Sequence, residues 1–165
     1  MLWLLVLMAV ACITAVVLLG RGFGALGRRG IRRSGPGVLL RSLACVAGGA
    51  ALVLYVWGML HVALVILDAE DGGTDSAPIR PCRTAGWVER ERSNGGIVDY
   101  TVDYIPLRFV CETQGGGSYA PDRVPGYLNP AVLGIGLTAV GLAVAAALES
   151  EYRARAEHKK GSGRS

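Results

Sequence analysis

Three stretches of the chain are almost free of charge, and the polar residues are confined to the segments around them. Leu2–Leu19, Val38–Leu67 and Ala131–Leu148 contain no acidic residue, and Arg41 is the one Lys or Arg within them. The first and third have 18 residues each, about 27 Å as a helix against the ~30 Å hydrocarbon layer of a bilayer. In the second, Ser42–Leu67 gives 26 uncharged residues, about 39 Å of helix, which exceeds that thickness and calls for tilt or protrusion. The pattern predicts an α-helical integral membrane protein with three transmembrane helices. These are helix 1 over 1–19, helix 2 over 38–67 and helix 3 over 130–148. Between and after them come an Arg-rich loop at 20–37, a small β-rich domain at 68–129 and a polar tail at 149–165.

Inside 68–129 the periodicity changes from helical to alternating. Val98, Tyr100, Val102 and Tyr104 fall on one face of a strand and Asp99, Thr101 and Asp103 on the other. Pro106 interrupts this run, and Leu107, Phe109 and Cys111 then share a face of a second strand. Trp87–Arg92 is read as a third, shorter strand, with Ser93-Asn94-Gly95-Gly96 turning it back as a hairpin. Gln114–Gly117 is a loop, and the acidic, Gly-rich DAEDGGTDSAP from Asp68 is a solvated linker. Gly35-Pro36-Gly37 is expected to break any helix, and Pro130 to sit in the first turn of one.

Charge orients this arrangement. Arg21, Arg28, Arg29, Arg32, Arg33 and Arg41 supply six of the 17 basic residues with none of the 13 acids. Asp68–Asn129 holds six bases and ten acids, and the tail from Glu149 five and three. Basic residues concentrate on the cytoplasmic side of membrane proteins. The six arginines are therefore topology anchors, and they place the amino terminus out, the tail in and 68–129 outside the cytoplasm of a plasma membrane. A cleaved signal peptide would carry its positive charge before the apolar core, whereas here it follows. The arginine pairs lack the bulky apolar residues expected after a twin-arginine signal, so anchoring is preferred to export or to a phosphate-binding patch.

Cys82 and Cys111 both fall in the region placed outside. A region of 62 residues struggles to bury a sufficient core, and exported domains of this size commonly add a disulfide. A redox motif would want C-x-x-C, and zinc would want further His or Cys ligands in the region, so a structural Cys82–Cys111 bond is the expectation. Cys12 and Cys45 are read as small apolar packing residues.

Other candidates reduce to structural roles. Asp68, Glu70, Asp71 and Asp75 miss the EF-hand spacing. Asp99 and Asp103 stand roughly 13 Å apart along a strand, too far to act on one bond. His61, beside Trp57, lacks the partner a proton relay needs and is expected to be interfacial or hydrogen-bonded. Gly134, Thr138, Gly141 and Ala145 form one small-residue stripe on the third helix, a helix-packing face open to another span or a second copy.

Lysine occurs only at Lys159 and Lys160, while Arg, Ala, Gly and Val abound. With that bias, the loop phrase DYIPLRFVCET and the closing PGYLNP, the chain resembles small multi-pass membrane proteins of actinobacteria. The resemblance spans the loop and third helix and implies no activity. No catalytic, metal or cofactor-binding residue is expected, and the expected partners are the lipid bilayer and a membrane protein or second copy, not nucleic acid. The leading expectation is a non-enzymatic accessory or interaction subunit presenting its extracytoplasmic domain. An oligomeric transport or channel component comes next, and a membrane redox or lipid enzyme using His61 or the cysteines last.

Overall fold

A computed structural model describes residues 2–29, 35–71 and 79–162, with backbone alone at 29, 90, 94 and 160–162. In chain order the elements are α1 (Leu2–Arg29), α2 (Pro36–Glu70), a 3-10 turn (Arg80–Cys82), α3 (Trp87–Asn94), β1 (Ile97–Tyr104), β2 (Leu107–Thr113), β3 (Ser118–Tyr119) and α4 (Leu128–Ser162). The protein is mostly helical. α1, α2 and α4 are long and apolar enough to cross a membrane.

Each long helix outruns the apolar block that announces it. α1 continues ten residues past Leu19 to Arg29, so the first part of the expected basic loop is helical. Its glycines are tolerated because one of them is needed: a Cβ on Gly22 would lie 2.7 Å from Val46 Cγ2 and 3.0 Å from the Ser42 carbonyl. Pro36 opens α2 instead of breaking it, as expected where proline's missing N–H is one that the first turn leaves unpaired anyway. At its far end α2 runs through Asp68 to Glu70, which takes the start of the acidic linker into the helix. α4 extends beyond Leu148 to Ser162, carried by the pairs Glu149–Arg153 and Glu151–Arg155 at i, i+4. Most of the expected polar tail is thus helix.

Trp87–Asn94 is a helix and not the expected strand. Glycines with φ near 76° at Gly86 and Gly95 bracket it, Glu89 lies in its first turn and Arg92 in its last, and both charges oppose the helix dipole. Gly95 therefore ends a helix with a positive φ and an extended ψ that glycine alone adopts readily, where sequence periodicity suggested a hairpin turn. The hairpin forms one segment later. β1 and β2 pair antiparallel from Tyr104↔Leu107 to Ile97↔Thr113, joined by Ile105-Pro106. β3 adds at the other side of β2 through Cys111↔Tyr119 and Glu112↔Ser118, giving the order β1-β2-β3. β3 had no counterpart in the sequence reading, since two residues are too few for periodicity to register. Leu107, Phe109, Cys111 and Thr113 are buried on one face of β2 as alternation requires. In β1 a register shift between Ile97 and Asp99 displaces Val98, which is 53% exposed in place of joining Tyr100.

Contacts divide the chain into two compact units, Met1–Met8 with Tyr55–Pro130 and Ala9–Leu54 with Ala131–Ser165. The first contains the sheet and the disulfide; its core includes Met59, Val62, Leu107, Phe109 and Leu128, each 1% exposed or less. The second is a packing of α1, α2 and α4 through small residues. α1 and α2 run antiparallel, with Leu19 against Gly49 and Val46 against Gly22, and α4 brings Ala139 near Gly48. Ala15, Ala44 and Ala146 are buried there. Small residues let helix backbones approach closely where lipid supplies no hydrophobic drive to associate.

Gly49 leaves no room for a side chain in this second unit: a Cβ there would meet Leu19 Cγ at 2.6 Å and the Ala15 carbonyl at 3.4 Å. Gly49→Leu should lower stability in detergent by about 1–3 kcal/mol, the usual cost of overpacking. Gly20→Leu, where nothing lies within 4 Å of a new Cβ, should stay within about 0.5 kcal/mol of wild type. Thermal unfolding of the purified variants checks the contrast.

Candidate functional site

The region from Ile79 to Tyr119 carries the 3-10 turn, α3 and the whole sheet, and a covalent bond closes it. Cys82 sits at the end of the 3-10 turn and Cys111 in the middle of β2, side by side with Leu107 and Phe109 on the buried face. The two are joined as a disulfide across a Cα–Cα distance of 6.1 Å and a separation of 29 residues, as expected. Closing a loop of this length contributes about 3.5 kcal/mol in the chain-entropy model. Both half-cystines are fully buried. The Tyr119 hydroxyl donates to the Cys82 carbonyl, and Arg123 Nη2 reaches the Pro81 carbonyl at 3.4 Å. β3 and the segment after it are thereby tied to the same turn.

The sheet is fastened to two long helices, at the start of α4 and along α2. Asn129, in the first turn of α4, uses its whole amide on one residue of β2. Its Oδ1 accepts from the Leu107 N–H at 3.0 Å and its Nδ2 donates to the Leu107 carbonyl at 3.1 Å. From α2, the Tyr55 hydroxyl donates to the Tyr104 carbonyl at 2.9 Å. Between these bonds Gly58 admits Leu107 and Leu128, each within 2.7 Å of where a Cβ would stand. A fourth tie is the Tyr100 hydroxyl, which donates to Glu70 Oε1 at 3.3 Å, while the Tyr100 ring stacks on Phe109 at 5.0 Å. Burial, the Glu70 carboxylate and then Asp99 raise the Tyr100 pKa above its ordinary value.

The polar face of the sheet is internally paired. Thr101 donates to Glu112 at 2.7 Å and Arg108 bridges to Asp103 at 3.3 Å. Asp99 Oδ1 accepts from the Tyr100 N–H at 2.8 Å. Asp99 and Asp103 are thus engaged separately. On α2, His61 Nδ1 lies 3.0 Å from the Trp57 carbonyl, and its ring meets the Trp57 ring edge to face at 4.9 Å. That is the hydrogen-bonded arrangement expected of it. Among the described residues no group of three or more His, Cys, Asp and Glu could hold a metal. Cys45 is half-buried and Cys12 is exposed, which departs from a packing role for Cys12 within the chain.

The remaining residues singled out from the sequence divide between three fates. Arg21, Arg28 and Arg41 come together around one recess, with Arg153 from α4. Arg32 and Arg33 lie outside the described residues, as does the side chain of Arg29. On α4, Gly134, Thr138 and Gly141 are exposed and Ala145 half-buried, and a Cβ at Gly134 or Gly141 would meet nothing within 4 Å. That stripe packs on no described part of this chain; α4 uses Ala139 and Ala146 instead.

Sequence reasoning missed Asn129 and Tyr55. The phrase PGYLNP contains Asn129, but nothing in periodicity distinguishes an amide that caps a helix from one that pairs with a strand. No protein-family model, curated protein or solved structure matches the chain.

Two outcomes follow from the fastening bonds. Asn129→Ala leaves the Leu107 N–H and carbonyl without their partner, and should destabilise the protein by about 1–3 kcal/mol, measured by chemical denaturation in detergent. Tyr100 keeps its proton to higher pH in the folded state than in the unfolded chain. Its contribution is therefore complete below about pH 10, the unfolded value, and is lost as pH rises through the folded value. Between pH 9 and 12 the stability of wild type should fall more steeply than that of Tyr100→Phe.

Proposed function

We propose that the three long helices cross the plasma membrane, with the amino terminus out, the carboxyl terminus in and 68–129 on the extracytoplasmic side. There the disulfide-closed unit is displayed as a recognition surface by a non-enzymatic accessory or interaction subunit. The observation that carries this reading is how the sheet is held. Asn129, in the first turn of α4, and Tyr55, midway along α2, bond directly to the backbone of β2 and β1 respectively. A loop that served only to connect two spans would have no use for such attachment. The arginines of α1 and α2 support the orientation through the positive-inside bias. Oxidised cysteines support the compartment, since disulfides persist outside the cytosol.

Exposed apolar residues on the sheet, Val98 at 53% and Ile105 at 91%, are the natural contact points for a protein partner. A second reading is an oligomeric transport or channel component, favoured by the open Gly134–Ala145 stripe of α4. Membrane flux in proteoliposomes would belong to that reading.

A membrane-impermeant thiol reagent applied to intact cells should label Cys82 and Cys111 only after reduction. Labelling that requires lysis would reverse the orientation. A photo-crosslinking residue at position 105 should trap one discrete protein adduct in the native membrane. A featureless smear at both 98 and 105 would remove the interaction reading.

A further inference from the structure

The cytoplasmic ends assigned to the helices above carry a second feature, independent of the displayed sheet. A recess of about 670 Å³ opens between the end of α1, the start of α2 and the polar half of α4. Its volume falls in the range of small-molecule sites. Arg21 and Arg28 reach it from α1, Arg41 from α2 and Arg153 from α4, with Glu149 the one acid in its lining. Arg21 and Arg28 are seven residues apart, two turns of helix, and so share a face.

The acid is engaged through one oxygen. Glu149 Oε1 pairs with Arg153 at 2.5 Å, while its other oxygen is buried near Gly37, where a Cβ would stand only 2.6 Å away, and has no hydrogen-bond partner among the described residues. That position is the start of α2, whose dipole favours negative charge. Arg28 Nε donates back to the Gly24 carbonyl at 3.2 Å. Arg21 and Arg41, by contrast, have no ion-pair partner among the described residues. Two unpaired guanidinium groups and two held ones therefore surround a concave site with a single carboxylate, which is paired through one of its oxygens.

Part of the wall is apolar. Ala25, Val38, Cys45 and Ala146 contribute to it beside Ser42 and Ser150, and Ala146 is 3% exposed. Arg21 stands two residues beyond the apolar run Leu2–Leu19, and Arg41 immediately precedes the uncharged run from Ser42. The charged rim thus sits where apolar sequence ends, at the level of lipid headgroups when the helices are in a bilayer.

We propose that this recess binds the phosphate headgroup of an anionic phospholipid of the cytoplasmic leaflet, its glycerol backbone resting on the apolar wall. Guanidinium groups recognise phosphate oxygens through paired N–H donors. A soluble phosphate would satisfy the arginines but leave that wall without a partner. The proposal rests on membrane residence of the three helices and not on the role of the displayed unit.

Full-length protein purified in mild detergent would be mixed with equimolar phosphatidylglycerol and phosphatidylcholine, and bound lipid read by native mass spectrometry. Wild type should retain phosphatidylglycerol preferentially. Arg21→Gln with Arg41→Gln should reduce that preference about tenfold, while Arg155→Gln, outside the recess, should not change it. Arg21→Lys with Arg41→Lys, which keeps the charge, should retain most of the preference and guards against loss of fold in the glutamine variant. Equal retention of the two lipids by wild type would overturn the proposal. So would an unchanged preference in the folded glutamine variant, or displacement of phosphatidylglycerol by millimolar inorganic phosphate. Flotation with neutral vesicles reports membrane residence separately, so failure of that premise is distinguishable from failure of the site.

Discussion

The bond between Cys82 and Cys111 joins the centre of β2 to a segment whose own structure amounts to one 3-10 turn and an eight-residue helix. It acts with the hydrogen bonds from Tyr119 to Cys82 and from Arg123 to Pro81 to hold that segment to the sheet. The buried apolar groups of this unit are few, and Met59, Val62 and Leu128 among them belong to helices that continue well beyond it. With β3 only two residues long, the sheet is close to a lone hairpin, which is marginal in water without a helix to pack on. Here α2 and the start of α4 supply that packing, and the disulfide removes part of the entropy that the remaining loop would otherwise recover on unfolding.

The second unit follows a different rule. Alanine, glycine and leucine at the contacts of α1, α2 and α4 allow close approach, the kind of packing that serves helices in a bilayer, where apolar side chains lose nothing by facing lipid. This accounts for the many large apolar residues on the outside, including Ile13, Val16, Leu133, Leu137 and Val140, each at least 61% exposed. On a water-soluble protein such a surface would be a liability. Arginine then occupies the positions where the apolar sequence stops, so packing and charge change together along α1.

Much of this was legible in the residues alone. Long apolar blocks identify the three helices because length and hydropathy are local properties. The alternation in Leu107–Cys111 identifies β2 for the same reason. The cysteine pairing followed from where the charges put the loop. Helix ends were less legible, because Arg29 and Ser162 are reached through polar sequence that continues a helix once it has begun. Trp87–Asn94 went astray because eight mixed residues carry no clear period, and the glycines that bracket it suit a turn equally well. Asn129 was illegible in principle: its two bonds depend on where β2 stands in space. The recess lined by Arg21, Arg41 and Arg153 joins residues more than a hundred positions apart, which no local reading connects.

Asn129 has one further effect. A sheet edge is a row of unpaired N–H and carbonyl groups, open to a strand from any neighbouring molecule. β3 covers β2 only at Cys111 and Glu112. At Leu107 the amide of Asn129 occupies donor and acceptor together, as an adjoining peptide group would. A strand from outside could pair there only by pulling the first turn of α4 away. The side chain therefore acts as a one-residue strand on the β3 side of β2, while on β1 the Tyr55 hydroxyl engages the Tyr104 carbonyl.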